Sequence, residues 1–230
     1  MSIRGPEMAR SVLLDLRVAA RPAPLETAAG LLPGTRTLSS LRRAAAGCRA
    51  CPLWKRGTQT VFGEGPKGAK LFLVGEQPGD KEDLEGRPFV GPAGRLLDVC
   101  LERAGIDRSD IYVSNVVKHF KCEPRGKKRI HQKPNSAEIA ACRPWLQAEI
   151  AVVKPKVLVC LGATAAQALL GRSFRVTKSR GDVFPSALAP LASATVHPSS
   201  ILRAPDDRTR KLETERFVRD LARIARAVGA

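Results

Sequence analysis

Nowhere does the chain of 230 residues carry an apolar run of the roughly 18–20 residues that a membrane-spanning helix needs. The opening stretch MSIRGPEMARSVLLDLRVAA contains apolar residues, but Asp15 and Arg17 interrupt any signal-peptide core, so a cytoplasmic location is the expectation. A basic amphipathic helix with Trp or Phe on its apolar side, as surface membrane binders have, is also missing. Acids are scarce: 22 Asp and Glu stand against 39 Lys and Arg, a net charge of +17. That imbalance favours a polyanionic partner, and nucleic acid over a membrane. A bias toward Arg and Ala inflates charge without function, however, so charge alone decides nothing.

What is present is enough apolar residue for a substantial core, arranged as one α/β domain. Residues 1–38 are rich in Ala, Arg, Pro and Leu and show little period, which predicts a loosely ordered arm with one short helix around 10–18. A short helix follows, capped by Ser39 or Ser40 and stopped by Gly47. Four apolar runs then predict strands: KLFLVG (70–75), DIYVSNVV (110–117), KVLVCLG (156–162) and SATVHP (193–198). Helical patterns lie between them. Leu96, Leu97, Cys100, Leu101 and Ala104 share one face, Asn135 and Glu138 have capping-box spacing, and Leu212, Val218, Leu221, Ile224 and Val228 recur near the end. Continuous apolar strands alternating with helices predict a three-layer α/β/α fold with a short, mainly parallel, four-stranded central sheet spanning residues 39–230. Ligands of such sheets sit beyond the carboxyl ends of the strands. That rule directs attention to GEQPGDKED, NVVKHF, LGATAAQ and HPSS.

The loop GEQPGDKEDLEGRPFVGPAG (75–94) is rich in Gly and Pro, so its backbone can approach a ligand closely. It carries Glu76, Asp80, Glu82 and Asp83 and lacks the Lys-Ser/Thr ending of a phosphate-binding P-loop. Carboxylates beside Gln77 and Phe89 suit a planar, uncharged ligand, with the ring on Phe89 and its edge read by amides; an acidic solvated loop has the same composition. Asn115, at the end of the second strand, offers a donor and an acceptor side by side, as a pyrimidine edge does, or it caps a turn. His197 would face the same crevice, with Ser199 and Ser200 able to donate to a phosphate. Cys48 and Cys51 form CRAC, a spacer that puts two sulfurs on one ion or cluster. Cys142 follows much later, and a fourth ligand is His119 or Cys122. Zinc sites usually show a second close pair, which is absent here. Cys100 and Cys160 fall on apolar faces as core thiols. Finally, GKKRIHQKPN (126–135) surrounds His131 with basic residues, in a window (118–133) that holds seven Lys and Arg and one acid, Glu123.

GEQPGDKED…GRPFVGPAGRLLD, SNVVK and HPSS, in that order after an early CxxC, resemble the uracil-DNA glycosylase superfamily over about residues 45–225. The nearest branch is the iron–sulfur family 4 enzymes. KKRIH and Gln77 in GEQPG further resemble the UdgX group, which becomes covalently joined to its product DNA. The resemblance implies uracil-containing DNA as partner, single-stranded or with the base flipped out, and no membrane or protein partner. It implies that Gly75, Gln77, Phe89 and Asn115 hold the base, with Arg129 and Ser199 on the DNA. Glu76, Asp80 and Asp83 would polarise the sugar, His197 would stabilise the departing uracil, and His131 would be the nucleophile. It implies a [4Fe-4S] cluster on Cys48, Cys51, His119 and Cys142, with Cys122 the competing ligand to His119. A conventional multiple-turnover glycosylase and a non-catalytic iron–sulfur nucleic-acid-binding module are the rival readings.

Overall fold

The computed structural model describes residues 27–126 and 128–229; the helix expected around 10–18 lies outside them. Helix α1 (Leu38–Ala46) is capped earlier than the expected Ser39 or Ser40, by Thr37, whose hydroxyl accepts from Ser40 N–H while Ser40 returns the bond. Four strands then alternate with helices: β1 (Leu71–Gly75), β2 (Tyr112–Asn115), β5 (Val157–Leu161) and β7 (Leu191–Thr195). Helices α2 (Asp80–Glu85) and α3 (Pro92–Arg103) follow β1. A separate ribbon, β3 (Cys122–Arg125) and β4 (Lys128–His131), follows β2. The remaining helices are α4 (Ser136–Val153), α5 (Ala163–Leu170), α6 (Pro198–Leu202) and α7 (Asp207–Ala227).

The central sheet has the order β2-β1-β5-β7-β6, so it holds five strands rather than the four expected. The four expected strands are mutually parallel, and the fifth, β6 (Val183–Pro185), runs antiparallel to β7 at the edge. A three-residue edge strand ending in Pro carries no period and leaves no sequence signal. Strand residues alternate between two apolar layers. Phe72, Val74, Tyr112, Leu158, Cys160 and Ala194 pack with α1, α4 and α5, and Leu71, Leu73, Val113, Val157, Val159 and Leu161 pack with α3, α6 and α7. In α7 the buried face is Phe217, Leu221, Ile224 and Ala225, while Leu212, expected on it, is exposed. Leu212 lies more than a turn before the helix reaches the core. Among the described residues no helix is long and apolar enough to cross a membrane.

Candidate active site

All four parallel strands end at one edge, and the expected base-holding residues converge there. Gly75 ends β1, and β2 beside it ends in register at Asn115. A Cβ placed on Gly75 would collide with Asn115 Oδ1, sit 2.8 Å from Phe89 Cζ and lie 3.5 Å from His197 Nε2. An amide, an aromatic edge and an imidazole thus crowd around a bare backbone, so close that only glycine fits there. Among the described residues nothing hydrogen-bonds the Asn115 amide, whose backbone carbonyl accepts from Lys118 Nζ at 2.8 Å.

Phe89 is held with φ +58°, a region costly for an aromatic residue. Gly94 makes this possible, because any Cβ there would strike the Phe89 carbonyl. The ring stacks at 27° on the His197 ring, centroids 6.0 Å apart. His197 is the N-cap of α6, and its Nδ1 accepts from Ser199 N–H at 3.1 Å. The Ser199 hydroxyl lies 2.8 Å from the same nitrogen. Nδ1 is therefore the acceptor, and Nε2, the nitrogen facing Gly75, carries the proton. Burial first, then the nearby Arg203 and His131, push the His197 pKa down to about 4. At neutral pH the site therefore holds a neutral N–H donor, and Ser199 orients it rather than facing a phosphate.

Residues KRIH (128–131) form β4 of the antiparallel ribbon, with Cys122 opposite His131 and Gly126 at φ +58° between the two strands. The ribbon is pinned at two places. The Gln77 amide donates to the carbonyls of Lys121 (3.2 Å) and Gln132 (3.0 Å) and accepts from Lys121 N–H (3.2 Å), clasping both ends of the ribbon. Arg129 donates to Asp80 and to the fully buried Asp83, each at 2.6 Å, and its guanidinium lies 5.3 Å from the Phe120 ring centre. Asp83 also accepts two bonds from Thr58 N–H. Gln77, Asp80, Asp83 and Arg129, expected at the base, sugar or phosphate, thus have partners within the protein. What the ribbon presents is His131, 52 % of its side chain exposed, with Nε2 3.4 Å from Glu76 Oε1.

A sequence profile of the uracil DNA glycosylase superfamily matches residues 62–222. The chain belongs to this superfamily. It is 40 % identical over 169 residues to a type-4 uracil-DNA glycosylase of Thermotoga maritima, covering 73 % of this chain and 84 % of the relative. To the type-4 enzyme of Pyrobaculum aerophilum it is 37 % identical over 175 residues, covering 73 % and 86 %. A type-5 uracil-DNA glycosylase of Thermus thermophilus matches at 32 % over 143 residues, 57 % of this chain and 61 % of that one.

The glycosylase frame buries all six thiols. Cys100 and Cys160 lie in the core layers, their pKa values raised by burial to about 11 and about 12. Cys48, Cys51 and Cys142 stand together on the α1–α4 side. Burial raises the Cys142 pKa to about 12, opposed by Lys118, and the charges of Cys51 and Cys48 push it further. Cys48 Sγ accepts from Trp145 Nε1–H at 3.2 Å and Cys142 Sγ from Lys118 N–H at 3.2 Å, as electron-rich sulfur does. Among the described residues no three His, Cys, Asp or Glu side chains meet closely enough for one metal ion. A cluster spreads its ligands wider than a single ion, and three buried thiols with N–H donors on two of them fit such a group. Cys122 is set apart: Arg129, Asp83, Arg56 and Asp80 are its charged neighbours. His119 Nε2 lies 3.1 Å from Thr60 Oγ1, and burial lowers its pKa.

Lys118, one of the seven cations of the basic window 118–133, is fully buried, paired with Glu149 and bonded to Ser114 Oγ and the Asn115 carbonyl. Lys121 pairs with Glu138 at 3.0 Å. Of the seven basic residues in 118–133, Arg125, Lys128 and Lys133 stand exposed, and Lys118, Lys121 and Arg129 are spent internally. Glu149 is what reasoning missed. Its signal was an acid on the apolar face of α4, seven residues beyond Cys142.

Proposed function

We infer that the protein excises uracil from DNA and then joins itself, through His131, to C1′ of the sugar it has uncovered. The observation that carries this reading is the convergence of Asn115, Phe89 and His197 on Gly75, with His131 beside Glu76 at the same edge. The substrate strand is single-stranded or has its uracil flipped out, because a stacked base cannot reach the strand ends.

The ring of uracil lies against Phe89, and the Asn115 amide pairs with its N–H and C=O edge. The glycosidic bond breaks with its electron pair leaving on uracil. His197 Nε2–H stabilises that charge as a neutral donor, which requires no prior protonation near pH 7. The sugar becomes oxocarbenium-like. A ring nitrogen of neutral His131 supplies an electron pair to C1′ and becomes cationic, with the Glu76 carboxylate as its counter-ion. Clasping by Gln77 and Arg129 prepositions the ring, and such orientation can be worth about 7–11 kcal/mol. Cys48, Cys51 and Cys142, with His119, would hold an iron–sulfur cluster, which when bound supplies a cross-link between α1 and α4 rather than chemistry at the base.

A second reading is conventional turnover, favoured by the type-4 enzymes among the relatives. Glu76 would then direct water to C1′. Intact mass after incubation with a uracil oligonucleotide separates the two. The trap predicts protein plus abasic strand, with His131 as the modified residue. Unmodified protein beside free abasic product defeats it. His131→Ala is expected to abolish the denaturation-resistant complex while still releasing uracil.

A further inference from the structure

The chain has two tryptophans, and they stand in opposite environments. Trp145 is fully buried on α4. Trp54, in the short 3-10 helix Pro52–Lys55 just after Cys51, is half-buried, with the exposed Arg49 guanidinium 4.7 Å from its ring centre. Residues 49–56, RACPLWKR, hold three cations and no acid. Lys55 and Arg56 are exposed, and Arg56 also donates to the Cys122 carbonyl at 3.3 Å. Cys122 is the residue across from His131. Arg56, two residues after the ring, therefore reaches the strand of the ribbon that backs the proposed nucleophile.

We propose that Trp54 and Arg49 form a stacking platform for a base of the single strand that flanks the uracil nucleotide, with Lys55 and Arg56 beside its phosphates. This rests on the reading that the substrate is a DNA strand. Every base has a π face, so such a platform takes any sequence. The Arg49 guanidinium over the ring offers a second surface on which a base can stack. The platform sits on the outer face of the Cys48–Cys51 loop and uses no group of the base pocket.

The test is a fluorescence titration of the full protein with a short oligothymidylate that contains no uracil. The wild type is expected to lose Trp54 emission on binding, while Trp54→Phe shows only the buried Trp145 background and no quench. Trp54→Ala is expected to bind roughly tenfold more weakly, the size of one lost base stack. Its salt dependence stays that of the wild type, because no phosphate contact is removed. Trp54→Phe keeps a stacking face and retains most affinity, which separates lost stacking from a damaged cysteine loop. Quench-free binding, or Trp54→Ala binding within about twofold of wild type, overturns the platform. Uracil release measured in parallel tells the failures apart. Release with no Trp54 effect rejects the platform alone, and quenching without release rejects the glycosylase reading alone.

Discussion

At the scale of the residue, the site is defined by what Gly75 lacks. Asn115, Phe89 and His197 close in on its bare Cα so tightly that a Cβ would displace Asn115 or Phe89. Gly75→Ala is expected to keep the fold and cut uracil release by about 100-fold, the usual consequence of displacing a bound group by an ångström; single-turnover release assays check it. His197 makes a prediction about pH. Its folded pKa, about 4, lies below the ordinary 6.5, so the unfolded chain binds the proton more readily. The stability it contributes is complete above pH 6.5 and is lost as pH falls from there toward 4. Thermal unfolding across that window should show the slope, and His197→Gln should flatten it. The donor role proposed for His197 sets the same limit, since below about pH 4 the ring carries a second proton.

At the scale of the element, the ribbon depends on clasps, because it shares no ladder with the main sheet. Gln77→Ala is expected to lower the yield of covalent complex about tenfold while uracil release changes little, since the base pocket does not touch that amide. Gel quantification of complex against free uracil, with hydrogen exchange over 122–131, checks it. Legibility in the sequence followed the physics of each element. β1 and β5 announced themselves as unbroken apolar runs, while β7, broken by Ser193 and Thr195, lies at Leu191–Thr195 rather than at the expected 193–198; the α4 start was legible as the Asn135–Glu138 box, whose two reciprocal bonds are present. The ribbon did not, because Glu123, Pro124, Arg125, Lys128 and Arg129 follow no apolar alternation; its strands are fixed by side-chain clasps from Gln77, just after β1, and from α2, some fifty residues earlier. The same long range hid the partners of Asp80, Asp83 and Lys118. Composition marks a charge, but only the fold says whom it faces.

At the scale of the molecule, a buried charge holds two layers together. Lys118 lies three residues past β2, Glu149 comes from α4, and Tyr112, Ser114 and Gly63 N–H complete the bonds. Lys118→Met strands a buried carboxylate and is expected to cost about 3–5 kcal/mol in denaturant unfolding, with the double change Lys118→Met, Glu149→Leu recovering much of it. The surface charge behaves differently. Affinity for uracil-free single strands should fall steeply with salt, and replacing Arg125, Lys128 and Lys133 by Ala should reduce the log–log slope by up to about 2, near 0.7 per phosphate contact. Cutting the ribbon back pair by pair would leave the ends of β1, β2 and β7 where they are. His131 thus sits on an appendage that evolution or a designer can trim or graft without re-laying the foundation beneath it.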